Sequence, residues 1–261
     1  MQASWALTPP YFLVFAFLCG VVGFRVGWRT GNRVALPLAQ GVLGWVAFLL
    51  AWTIVGAGWA AASVGAWALG TTLASVYVFL GHPDETDDRV IRAAPYRASM
   101  LAWLETGSGP ETRPIATTTA HLREAIWYTA AAVATANLAS ITMGAILLNE
   151  MNAYVATLLR AAKRTGRVLL FAWNVWSVVR VAAYVLIGAT AASPLLRLVG
   201  WRADAATTRN LALAGAAGVV VDLVLKLALS KPFGRLLASA IDLPAARDNR
   251  SSEIPLALHL H

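Results

Sequence analysis

The chain has 261 residues, 58% of them hydrophobic and 13% charged, with a mean hydropathy of +0.62. A water-soluble domain of that composition would expose a very large apolar surface, so a soluble globular fold is excluded and lipid is the expected solvent. The formal charge of +8 does not point to nucleic acid, because the 18 Arg and 3 Lys are scattered over short loops and the tail. The expected partners are membrane lipids, including anionic headgroups, together with further copies of the chain or other membrane subunits.

A bilayer core is crossed by about 20 mainly apolar residues. Six windows qualify: Trp5 to Phe24, Val34 to Gly56, Ala60 to Gly81, Ala125 to Leu148, Val168 to Leu196 and Leu211 to Ser230. The expected fold class is all-α, a polytopic integral membrane helical bundle of about six transmembrane helices with one or two interfacial amphipathic helices. Residues 1–230 form a single transmembrane domain, with 82–124 as its extramembrane loop, and 231–261 a peripheral C-terminal tail. The expected location is a bacterial-type cytoplasmic (inner) membrane.

The first window opens with Pro9 and Pro10, which suit a helix start because first-turn amides need no intrahelical acceptor. Trp5 and Trp28 bracket it, roughly 34 Å apart at 1.5 Å per residue, the separation of two headgroup boundaries. Cys19 is the sole cysteine, so no internal disulfide forms. Leu18 stands where a lipoprotein cleavage site wants a small residue, and no basic stretch precedes the window, which therefore reads as an anchor.

From Val34 to Gly81 there are 48 residues without a charge, read as two helices joined by a turn near Gly56 or Gly58. Trp45, Trp52 and Trp59 recur every seven residues and share a face if the helix continues that far. Packing or interfacial anchoring accounts for them, with a pigment or quinone platform as the alternative. In the fourth window Ala132, Ala136, Ser140 and Gly144 form a small-residue stripe that lets backbones approach. Ala57, Ala61 and Gly65, and Ala214 with Gly218, repeat that spacing.

Between them, "DRVIRAAPYRASMLAWLE" reads as an interfacial amphipathic helix interrupted near Pro95, and "TGSGPETRPIATTT" as a flexible connection. Asn149 to Arg167 reads as a second interfacial element, its Arg160, Lys163, Arg164 and Arg167 meeting headgroups. Six spans with both ends outside divide the basic residues eleven to eight in favour of the cytoplasmic side, a weak bias under the positive-inside rule.

In "HPDETDDR", His82, Asp84, Asp87 and Asp88 are the candidate metal ligands, since hard divalent cations take several oxygen donors. No second aspartate set follows, and acids at a helix start favour its dipole without any metal. Beyond that cation no cofactor is expected. HExxH, Walker A and GxSxG patterns are absent, "AASVG" around Ser63 being the nearest. His121 reads as interfacial, and His259 and His261 as part of the chain end.

The intramembrane charges remain. Arg180 and Asp222 both fall near mid-depth, where an isolated charge costs at least about 3 kcal/mol and therefore faces a partner or water. Lys226 lies one turn beyond Asp222 on the same face. Ser177 and Asn174 add polarity, and Trp173, Trp176 and Tyr184 fall at helical spacings that cluster them beside the guanidinium. Two bland readings stand beside a functional one: a pair that only fixes which helices meet, or a break at Val179 that lets Arg180 snorkel to the headgroups. The functional expectation is a channel- or transporter-like protein whose Arg180, Asp222 and Lys226 centre contacts an ion or small solute. The alternatives are a noncatalytic subunit or assembly factor of a larger membrane complex, with pigment or quinone association as one form of it, and a lipid-active enzyme using the acidic loop.

Overall fold

The computed structural model describes residues 9–109, 114–201 and 203–243. Trp5, Arg113, Arg202, His259 and His261 lie outside them. The described residues form helices α1 (Pro9–Arg29), α2 (Ala35–Ile54), α3 (Ala57–Gly81), α4 (Pro83–Arg89), α5 (Ala93–Thr106), α6 (Pro114–Thr135), α7 (Leu138–Arg160), α8 (Thr165–Phe171), α9 (Val175–Ala191), α10 (Ser193–Leu198) and α11 (Ala205–Ala238), with no β-strand among them. Five segments are long and apolar enough to cross a membrane: α1, α2, α3, the run Thr165–Leu198 that contains α8 to α10, and α11. The chain is an all-α helical membrane bundle, and its described residues include five segments of that length and apolarity against about six windows in the sequence.

The fourth window is not one helix. It divides at Ala136 and Asn137, both left-handed with φ of 47° and 77°. Asparagine is one of the few side chains at ease in that region, and here its Oδ1 accepts a bond from Ser140 Oγ at 2.5 Å. The Ala136 carbonyl receives the Trp45 indole N–H at 2.9 Å, so the break leaves no orphaned acceptor there. The small-residue stripe is therefore not one helix face: Ala132 belongs to α6, Ala136 to the break, and Ser140 and Gly144 to α7. Hydropathy cannot mark a break whose compensating donor comes from another helix.

The tryptophan repeat is also cut. Gly56 has φ +100°, a conformation glycine adopts without strain, and it ends α2 so that Trp59 belongs to α3. Trp52 is buried in the core, whereas Trp59 is 36% exposed.

The second predicted interfacial element is instead largely the C-terminal half of α7. Residues Asn152 to Leu158 are all buried, because α7 packs against α2, α3, α5, α6 and α9. Its polar residues look like surface in sequence but find partners inside. Asn149 and Gln40 exchange amide bonds at 2.7 and 3.2 Å. Asn152 donates to Ser75 Oγ at 2.8 Å and accepts from Trp173 Nε1 at 3.2 Å.

The loop region is helical as α4 and α5, and it departs from the sequence reading in two places. Its interruption falls at Arg92, which has φ 57°, while Pro95 sits in the first turn of α5. Part of the segment read as flexible is helical, since α6 begins at Pro114. Met100, Leu101, Trp103 and Leu104 of α5 join Trp176 and Leu237 in a core cluster. Nor does the last helix stop at Ser230. It runs through Pro232 to Ala238, and Leu237, Ala240 and Ile241 are buried. Lys163 N–H donates to the Ala240 carbonyl at 2.9 Å and Asp242 N–H to the Ala161 carbonyl at 2.7 Å, clasping this end to the turn after α7.

Backbone approach sets the remaining packing. At Gly20 a Cβ would collide with the Trp67 carbonyl, and at Gly70 with the Phe17 carbonyl, so α1 and α3 touch nearly backbone to backbone.

Candidate functional site

α9 and α11 meet through Gly215 and Gly218, whose faces rest on Ala183 and Ile187. That close approach places Arg180 opposite Asp222, each near the middle of its 34-residue apolar segment. Arg180 donates through Nε to Oδ2 at 2.9 Å and through Nη2 to Oδ1 at 3.1 Å. The paired fork fits a carboxylate in both directionality and charge. Asp222 is 1% exposed.

The predicted third member enters differently. Lys226 is buried, with Nζ 3.4 Å from His121 Nε2, and His121 Nδ1 lies 3.3 Å from Asp222 Oδ2. His121 is thus a buried member of the centre, 6% exposed, and not an interfacial residue. The start of α6 brings it there, and α6 could be found in sequence only by treating His121, Glu124 and Tyr128, at offsets of three and four, as one helix face.

The face around Arg180 divides. Ser177 and Tyr184 line a cavity with it. Tyr184 stacks on Tyr128, ring centroids 4.9 Å apart. Trp173 points its N–H at Asn152, and Trp176 packs edge-on against Trp103 and Phe233, so these two rings serve the core clusters. Asn174 precedes α9, its carbonyl accepting the Ser177 N–H at 2.9 Å, while its buried side-chain oxygen has no hydrogen-bond partner among the described residues. Arg180 does not snorkel from a broken helix: α9 is continuous through it.

The cavity has a volume of ≈ 190 Å³, well above the roughly 10–15 Å³ that one water requires. Four helix faces build it at three- and four-residue spacing. α5 gives Tyr96 with Arg92 just before it; α6 gives Glu124 and Tyr128; α7 gives Gly144, Leu147 and Met151 beside Glu150; α9 gives Ser177, Arg180, Val181 and Tyr184. Trp67 of α3 closes one wall. A second ion pair lines the chamber. Arg92 donates to both Glu150 oxygens at 2.8 and 3.1 Å, the glutamate side chain being 3% exposed and the arginine 62%. Of the two lining arginines, Arg92 is the more exposed and Arg180 the more buried, at 20%. Glu124 lies close enough to act electrostatically on Arg92, Glu150 and Tyr184, yet forms no hydrogen bond or ion pair among the described residues.

The acidic loop is arranged otherwise. Asp87 forms a double bond pair with Arg97 at 2.5 and 2.6 Å, and His82 Nδ1 lies 3.2 Å from Glu85, which also meets Arg89 at 2.8 Å. Asp84 and Asp88 are exposed, the Asp88 carbonyl accepting from Arg33. Among the described residues no three His, Cys, Asp or Glu side chains are grouped to hold a metal ion. Asp87 thus fastens α4 to α5, while Glu85 pairs locally within two turns of α4.

Sequence reasoning found Arg180, Asp222, Lys226, Ser177 and Tyr184 but not Glu150, Arg92, Glu124 or His121. Comparison with known proteins finds no family model, no characterised protein and no solved structure that matches this chain.

Proposed function

We propose that this chain is a transporter-like membrane protein that receives an ion or small polar solute in the chamber between α6, α7 and α9. The observation that carries the reading is a cavity walled by Arg92, Glu150, Glu124 and Arg180 within an apolar bundle. Charges at that depth are costly, and they are retained where a cavity gives them water or a ligand. A pair that merely joined two helices would need no space beside it. The two arginines are held by carboxylates, so the chamber keeps a fixed arrangement of donors, acceptors and rings.

The direct test fills the space without touching an ion pair. A Cβ at Gly144 would meet only Tyr128 Oη, at 4.0 Å, so Gly144→Phe places a ring in the chamber. In reconstituted vesicles, fluxes of sodium, chloride, protons and tetramethylammonium are read against protein-free vesicles. At least one is expected to exceed background and to fall tenfold or more in Gly144→Phe. No flux of any of the four, or flux unchanged by both Gly144→Phe and Arg180→Leu, would overturn the proposal.

A further inference from the structure

The polar chamber has an apolar neighbour. Between α3 and α9 runs a groove of ≈ 690 Å³, walled by small residues of α3, among them Gly58, Ala62 and Gly65, and by Val178, Ala182 and Leu186 across from them. Leu69, Leu73 and Val178 on its margins are 52 to 55% exposed, so the groove opens on the outer face of two membrane-crossing segments. What such a surface meets in a bilayer is hydrocarbon. Ala68, Leu148, Met151, Val181 and Val185 line both spaces, so the groove and the chamber adjoin along that one layer of side chains. Met151 within it is unbranched and adaptable, a side chain suited to a junction that must repack.

The charge of the chamber sets the headgroup. Arg92 and Arg180 each already engage a carboxylate with two N–H groups. Glu124 is the lining carboxylate that forms no such bond among the described residues, and it acts electrostatically on Arg92. Trp67, Tyr96, Tyr128 and Tyr184 supply four aromatic rings around the same space. Aromatic faces with an adjacent carboxylate attract an organic ammonium, whose charge is spread and weakly hydrated. Resting on the transporter-like reading of the chamber, we infer that the ligand is an amphiphilic organic ammonium: its cationic head sits between Glu124 and the rings, and its hydrocarbon chain lies in the α3–α9 groove.

The test uses the full chain in nanodiscs of neutral galactolipid, which offer no amine and no net charge. Radiolabelled octyltrimethylammonium, tetramethylammonium and octyl sulfate are the probes, each corrected for its partition into protein-free discs. Saturable binding of octyltrimethylammonium is expected, at least tenfold tighter than octyl sulfate. Glu124→Gln should weaken it tenfold or more. A Cβ at Gly65 meets no atom within 4 Å, so Gly65→Phe fills the groove; it should cost octyltrimethylammonium tenfold and leave tetramethylammonium within twofold. Equal binding of octyl sulfate, or wild-type binding by Glu124→Gln, would overturn the headgroup assignment. Indifference of octyltrimethylammonium to Gly65→Phe, or a protein partner held at fixed stoichiometry and released by Gly65→Phe, would overturn the chain assignment. Should flux be blocked by Gly144→Phe while the octyl chain contributes nothing, the amphiphile proposal alone fails; should Gly144→Phe alter neither flux nor binding, the chamber reading fails with it.

Discussion

Replacing Arg180 by leucine removes both bonds to a carboxylate that is 1% exposed and nearly unreachable by water. His121 Nδ1 stays 3.3 Å from Asp222 Oδ2. Deleting one partner of a buried pair costs about 3–5 kcal/mol, because the other charge stays behind desolvated. Asp222→Leu should cost less, about 2 kcal/mol, since the Arg180 side chain is 20% exposed and can turn its head into the chamber. With both positions leucine, no charge of the pair is stranded, and two apolar side chains of similar length face each other across α9 and α11. The double variant should therefore lose about 3 kcal/mol less than the sum of the two single losses, which is the coupling of the pair. Unfolding in mixed micelles by added dodecyl sulfate, followed through the fluorescence of the 11 tryptophans, measures all four corners of the cycle. If the single losses simply add in the double variant, the two residues do not stabilise each other and the account of this pair is wrong.

Three further outcomes follow from the packing. Gln40→Leu or Asn149→Leu alone strands a buried amide and should lower stability by about 1–3 kcal/mol, while the double leucine variant should lie near the parent in the same unfolding assay. Gly20→Val and Gly70→Val should each prevent α1 from docking on α3 and yield aggregated material in size-exclusion chromatography, whereas Gly65→Ala, with open space around it, should elute as the parent does. Asp204 outside the last crossing accepts the Thr207 N–H at 2.6 Å, and that amide holds its carboxyl below the usual carboxylate range. Its capping contribution is therefore fully present above the ordinary carboxylate pKa and is lost as pH falls through the lowered value; hydrogen exchange at Thr207, corrected for intrinsic rates, should lose protection over that range in the parent and lack it throughout in Asp204→Ala.

The parts of the fold legible in sequence are those whose cause is local. α1, α2 and α3 follow from uncharged runs of sufficient length, and the α2–α3 turn from Gly56. The facing of Arg180 and Asp222 could also be anticipated, since two opposite charges at similar depth in lipid have few other places to go. α7 could not be read in the same way. Glu150, Asn149 and Asn152 resemble a wet surface, and only the surrounding helices, with Arg92, Gln40, Ser75 and Trp173, make them an interior. His121 and Glu124 were hidden for the related reason that α6 carries polar and apolar residues in similar measure, so neither hydropathy nor charge distinguishes its inner face.

Sequence by itself determined that this protein lives in lipid, that it is helical, and that its mid-depth arginine needs an anion, because burial of apolar surface and the expense of an unpaired charge depend on residue type and depth alone. Tertiary structure decided that the run from Ala125 to Leu148 breaks at Asn137, that α7 lies at the centre, and that the paired charges border an open chamber. Each of those rests on a partner supplied from far along the chain: Trp45 for the Ala136 carbonyl, Arg92 for Glu150, Gly215 and Gly218 for the approach of α11 to α9. Pairings of that kind leave no periodic mark, since the residue that makes a polar group tolerable is fixed by how the helices pack and not by its neighbours in sequence.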